Sequence, residues 1–212
     1  MVSAGLRTSG AARAILARAQ PGSVGIMLSG EASLFISVCR AARAAGEPPR
    51  LARFGRLVGS MLVLRRREGA WSIAIAGTRV CALFGRELGG RAPERLFLPH
   101  DREDVAALID AVAEEGVEVA LSLSGWPHAD GDAPRRPTPL DAVLVPAVSP
   151  EAGASALFML APRAEPPASG IEALGLSGIR VLAPPGRPDR ARPILRVIEG
   201  AAAGTSAVSS KG

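Results

Sequence analysis

Two histidines, two cysteines and a single lysine bound the chemistry this chain can perform. His128, Asp130 and Asp132 are the most suggestive cluster, because an imidazole and two carboxylates on one loop can ligate a divalent cation. No second set of ligands completes a coordination sphere, so the stretch reads as a polar loop with an Asp130-Gly131 turn, and no metal is expected. Nucleophilic catalysis needs a serine or cysteine beside a base held by an acid, yet His100 and His128 each follow a proline in a loop, and no G-x-S-x-G turn is present. Phosphate-cradling glycine motifs are also absent, and Lys211 is the sole lysine. No catalytic residue is assigned, and the chain is read as a non-enzyme.

The formal charge of +5 and the pI near 10.7 rest on scattered arginines. Only Arg65, Arg66 and Arg67 form a run, with Arg135 and Arg136 as a lesser pair, and no aromatic residues are interleaved to stack on bases. A basic nucleic-acid-associated protein is therefore the alternative reading and a solvated basic face the leading one. Cys39 and Cys81 match neither a disulfide framework nor a metal knuckle, which fits a reducing, cytoplasmic setting. No window supplies the ~18 uninterrupted apolar residues of a membrane span.

The elements that must position any site follow from periodicity. Residues 57–64 are short and apolar, and Trp71, Ile73 and Ile75 alternate with small or polar neighbours, which predicts a hairpin turning at 65–69. Thr78 can cap a two-turn helix carrying Val80, Leu83 and Phe84 and stopped by Gly85. Short irregular helical pieces are expected near 94–98, broken by Gly89, Gly90, Pro93 and Pro99. Asp101–Glu114 is the clearest helix, with Asp101 as its cap and Val105, Leu108, Ile109 and Val112 on one face. Strands then follow at 117–124, 140–148 and 154–160, with 125–138 as an exposed connection and Pro146 marking an edge or bulge.

Two strands, several helices and three strands exclude a doubly wound parallel sheet and describe an α+β fold: a five-stranded antiparallel sheet with helices on one face. Residues 1–50 are expected to be an Ala- and Arg-rich extension, poorly ordered or partly helical, and 51–162 the folded domain. Residues 163–212 read as a Pro/Gly/Ala-rich tail with a possible short strand near 192–199.

Within this frame the stretch from Ile73 to Arg91, IAIAGTRVCALFGRELGGR, resembles the hallmark segment of a bacterial family of mostly stand-alone PAS proteins. In it an AGT turn (Ala76, Gly77, Thr78) enters the first helix and FGREL-x-G (Phe84, Gly85, Arg86, Glu87, Leu88, Gly90) leaves it. The resemblance covers roughly 51–200, is strongest over 71–112, and extends to Arg192–Gly200. It implies a PAS-like sensory or regulatory module in signal transduction that works through a protein partner, with a homodimer possible and no output domain in the chain. Control by a small ligand would place a pocket among Ile73, Ile75, Val80, Phe84, Leu108, Leu121 and Leu144, with Thr78, Arg79, Arg86 and Glu87 as the polar residues of the motif. The cofactor is left open. Haem is disfavoured because the long helix holds no histidine, and flavin because RVCALFG lacks the asparagine-cysteine helix motif. Nucleic acid and membrane are not expected as partners.

Overall fold

Alternating apolar residues over Trp71–Ile75 and Val117–Leu123, and the three-four spacing from Val105 to Val112, make strands and a helix that must share one buried surface. The computed structural model describes residues 28–47, 50–128, 136–147, 155–166 and 170–182. In order, these form α1 (Gly30–Ala44), an irregular 3-10 segment (Leu51–Ser60), β1 (Met61–Arg67), β2 (Ala70–Ala76) and α2 (Thr78–Phe84). Two 3-10 turns (Pro93–Leu96 and Pro99–Asp101) lead to α3 (Arg102–Glu115), β3 (Glu118–Pro127), β4 (Thr138–Pro146), β5 (Ser155–Pro162) and β6 (Ile171–Leu182). The strands form one antiparallel sheet in the order β2-β1-β5-β4-β3-β6.

The α+β antiparallel class holds, with six strands among the described residues where five are expected. The sixth, β6, arises beyond residue 162, in the part read as a tail. It is hard to see in sequence because Gly175 and Gly178 dilute it, and because Glu172 and Ser177 are extra residues at two bulges opposite β3, so its apolar positions do not keep a period of two. The candidate strand near 192–199 lies outside the described residues.

Helices also cover both faces of the sheet, not one. The second face is covered by α1, from within the segment read as an extension. Ser29 caps it, its hydroxyl accepting from the Ala32 amide at 3.2 Å. Ala32, Phe35, Ile36, Cys39 and Ala42 recur at helical spacing and pack onto Val143, Val145, Leu157 and Met159. On the opposite face, α2 and α3 close a larger core around Leu64, Leu108, Leu121, Leu144 and Phe158.

Three boundaries differ from expectation. Residues 57–60 belong to the 3-10 segment, kinked at Gly55 (φ 50°), and β1 begins at Met61, because Phe54 and Leu57 are buried at helical spacing. The hairpin closes on two residues, Glu68 and Gly69, both at positive φ, so β1 runs through the arginines to Arg67. β3 continues through Pro127, and Gly125 permits this: a Cβ there would lie 2.4 Å from Ile171 Cδ1. β4 is a central strand, and Pro146 is tolerated as its last residue.

One irregular connection, residues 86–101, protects both sheet edges. Along β2, Ile73 N donates to Arg91 O at 2.9 Å and Gly90 N donates to Ile73 O at 2.8 Å. Along β6, Leu98 N donates to Leu174 O and Leu176 N donates to Asp101 Oδ2, each at 2.8 Å. Asp101 does occupy the N-cap position of α3, yet its carboxylate bonds β6 and makes no capping hydrogen bond. No helix among the described residues is long and apolar enough to cross a membrane.

Candidate functional site

The AGT turn is a point of close backbone approach. A Cβ on Gly77 would fall 2.3 Å from Val58 O and 2.4 Å from Gly59 O, while Gly77 N donates to Met61 O at 2.8 Å. Only glycine lets the chain leave β2 against the 3-10 segment and start α2 there. Gly77 is also the N-cap, so Thr78 is the first helical residue and makes no capping bond, contrary to the expectation from sequence. Gly85, at φ 62°, ends α2 in the left-handed conformation, and its N–H returns to Ala82 O. Leu88 is fully buried and Gly90, at φ 76°, brings the chain to the edge of β2. These motif residues are architecture: they build α2 and seal a sheet edge.

The polar motif residues face solvent. Arg86 lies 6.0 Å over the Phe84 ring, and Glu87 is 3.7 Å from Cys81 Sγ. With Thr78 they surround an open depression of about 490 Å³. Arg79 points elsewhere, toward Glu31 of α1 at 3.7 Å. The structure thus splits the four, and Cys81 is half-buried between the depression and the main core.

Of the apolar pocket candidates, Ile73, Val80, Phe84, Leu108, Leu121 and Leu144 share the core between the sheet and α2 and α3. Leu108, Leu121 and Leu144 line a void of about 10 Å³ with Phe97 and Phe158, room for roughly one water. Ile75 is excluded from that core. Leu64 pairs with Ile73 and Val63 with Ile75, so Ala74 is an extra residue at a bulge and the side-chain alternation shifts by one. Ile75 therefore stands with Val63 on the α1 side of the sheet and is 44% exposed, whereas Ile73 is 1% exposed.

Sequence reasoning missed the charged groups buried under α1. Glu118 is fully buried and accepts from Arg40 Nε at 3.0 Å; Arg43 Nη1 lies 3.0 Å from its other oxygen, close but not aligned for a hydrogen bond. Burial, reinforced by the Glu118 charge and opposed by Arg43, pushes the neighbouring Cys39 thiol up to about 12. Asp141, also buried, accepts from Arg163 Nε at 2.8 Å, a hydrogen bond that raises the Arg163 pKa. Arg40 and Arg43, one turn apart, would have signalled Glu118 had α1 been recognised as packed.

The basic run is divided by strand alternation. Arg66 binds α3 through Glu114 at 2.8 Å and Asp110 at 3.3 Å, and Trp71 Nε1 donates to the same Asp110 at 2.8 Å. Arg65 and Arg67 fall on the other face. Asp130, Asp132 and Arg135 lie outside the described residues, among which no group of three or more His, Cys, Asp or Glu is placed to hold a metal.

A family model described as PAS domain matches residues 41–146, half of the chain. The chain belongs to the PAS domain family. The match opens inside α1 and closes at the end of β4, so the hairpin, α2, the edge-sealing connection and α3 all fall within it. PAS domains are sensory and regulatory modules that often mediate protein interactions and dimerisation. No curated protein matches the sequence.

Proposed function

We propose that this PAS protein is a non-catalytic sensory and regulatory module that acts by docking a protein partner, under control of a small ligand bound near its surface. The observation that carries this reading is the filled interior. A cofactor the size of haem or flavin needs a cavity of several hundred Å³, whereas the void that Leu108, Leu121 and Leu144 line between the sheet and α3, among the described residues, is about 10 Å³. The open features lie outside, around α2: the depression at Thr78, Arg86 and Glu87, and the exposed Ile75 on the adjoining strand. A partner that binds one arrangement of α2 better than another shifts the population between them, with no bond made or broken.

The test is capture of partners by the full chain, comparing wild type with Arg86→Glu and Ile75→Asp. Both side chains are exposed, so both variants are expected to fold, Arg86→Glu at the wild-type melting temperature and Ile75→Asp a few degrees below it. A discrete partner, a second copy of the chain included, held by wild type and lost by either variant supports the reading. Recovery of nonspecific proteins alone, or of the same partner by all three, refutes it.

A further inference from the structure

A groove of about 480 Å³ runs between the first turn of α1, the side of α2 and the end of β5. Its walls are apolar: Val80, Leu83 and Leu160 form a buried floor, and Ala82, Pro162, Ala164 and Pro166 supply the exposed surface. Three polar groups interrupt them. Glu31 and Arg79 oppose each other at 3.7 Å, an ion pair too long for a hydrogen bond, and among the described residues neither makes one. Ser60 also lines the groove and is 4% exposed. Gly59 holds Arg79 in place, since a Cβ there would stand 3.2 Å from Arg79 Cγ, and without one the arginine stem lies across the glycine.

Opposite charges with free hydrogen-bonding capacity, beside an apolar trough and the Ser60 hydroxyl, specify a ligand. A lone carboxylate on Arg79 is opposed by Glu31, and a lone amine on Glu31 by Arg79. A purely apolar molecule would desolvate both charges and the Ser60 hydroxyl without replacing their water. We infer that the groove binds a free apolar α-amino acid as its zwitterion, the carboxylate on Arg79, the ammonium on Glu31 and the side chain against Ala82, Pro162 and Pro166. Ser60 bonds whichever head group lies deeper. The groove volume falls in the range of small-molecule sites. This inference names the ligand of the regulatory reading and rests on that reading only for the consequence of binding.

The test is isothermal titration of the full chain with L-leucine and L-phenylalanine, beside 4-methylpentanoate and 3-methylbutylamine, which keep the apolar body and lose one charge each. The expected result is saturable binding of at least one amino acid, with both single-charge analogues weaker by about tenfold or more. Arg79→Gln and Glu31→Gln should each cost about tenfold in affinity, Ser60→Ala a smaller factor, with unliganded melting temperatures unchanged for the two rim variants. No heat from either amino acid up to about 10 mM, an affinity in the millimolar limit, overturns the inference. So does equal binding of an analogue, or binding indifferent to Arg79→Gln and Glu31→Gln. Titration needs no partner, so its failure is separate from failure of partner capture.

Discussion

Two isoleucines two residues apart on one strand ought to share a face and an energetic weight; the bulge at Ala74 predicts that they do not. Ile73 is 1% exposed in the main core and Ile75 is 44% exposed on the opposite face. Truncation of each to alanine removes the same atoms. At Ile73 the loss combines the transfer of about three methylene equivalents with a cavity among Leu64, Val80 and Phe84, and large-to-small changes at such sites cost about 2–5 kcal/mol. At Ile75 about half of the transfer contribution is lost, at ~0.8 kcal/mol per methylene, and solvent fills the space, so the cost is about 1 kcal/mol. Ile→Thr sharpens the contrast. At Ile75 it keeps β-branching on an exposed strand position and should be near neutral, while at Ile73 it also buries a hydroxyl with no evident partner.

Urea unfolding followed by Trp fluorescence is the assay, because Trp71 sits on the same strand and is 8% exposed. Midpoint shifts at constant m-value give the stability differences. Equal losses at the two positions, or a larger loss at Ile75, would refute both the bulge and the assignment of Ile75 to the outer face.

Glu118→Ala leaves Arg40 and Arg43 without their shared carboxylate and should cost about 3 kcal/mol, the low end for a broken buried pair because both arginines reach solvent; denaturant titration reads it directly. Gly77→Ala drives a Cβ into the backbone of Val58 and Gly59 and should cost about 1–3 kcal/mol or more, read as a drop in melting temperature, even though its φ of −70° suits alanine. Asp101→Ala should cost about 1.5–3 kcal/mol by removing the charged acceptor of Leu176 N, and Asp101→Asn less, with hydrogen exchange at Leu176 accelerated in the alanine variant. Cys39 resists alkylation at pH 8 in the folded protein, while half-buried Cys81 reacts. Because the folded Cys39 pKa is raised from 9.0 to about 12, its contribution is fully present below pH 9 and is lost as pH rises toward 12. That loss reaches up to about 1.4 kcal/mol per pH unit and is absent in Cys39→Val.

The hairpin, α2, α3 and the central strands were legible because each carries its own period and its own stop: Trp71 to Ile73, the Gly85 terminus, Val105 to Val112 before Gly116, and Val119 to Leu123. What escaped was set by partners distant in sequence. The Ala74 bulge depends on how β1 meets β2, and nothing local to Ile75 announces it. The apolar stripe of α1, Ala32, Phe35, Ile36, Cys39 and Ala42, lies in an Ala- and Arg-rich stretch, and the strand residues it covers, Val143, Leu157 and Met159, are distant in sequence. β6 exists as a strand because β3 offers it ten paired residues and because Leu98 and Asp101 bond its outer edge. Glu118 is buried because the apolar side of α1 covers that face of the sheet and Arg40 and Arg43 pair with the carboxylate.

Within the motif, the residues that build the fold and the residues that stand on its surface are different sets. Gly77, Gly85, Leu88 and Gly90 are demanded by backbone contact, left-handed φ or full burial, and together they carry the chain from β2 through α2 to the sheet edge. Arg79, Arg86 and Glu87 stand between them on the surface, held in place by that framework and contributing little to it. Changing an exposed charge there leaves the fold intact, because an exposed ion pair is worth at most about 1 kcal/mol to stability. On the proposed reading, specificity lies at Glu31, Ser60 and Arg79, which come together only when α1 packs beside α2.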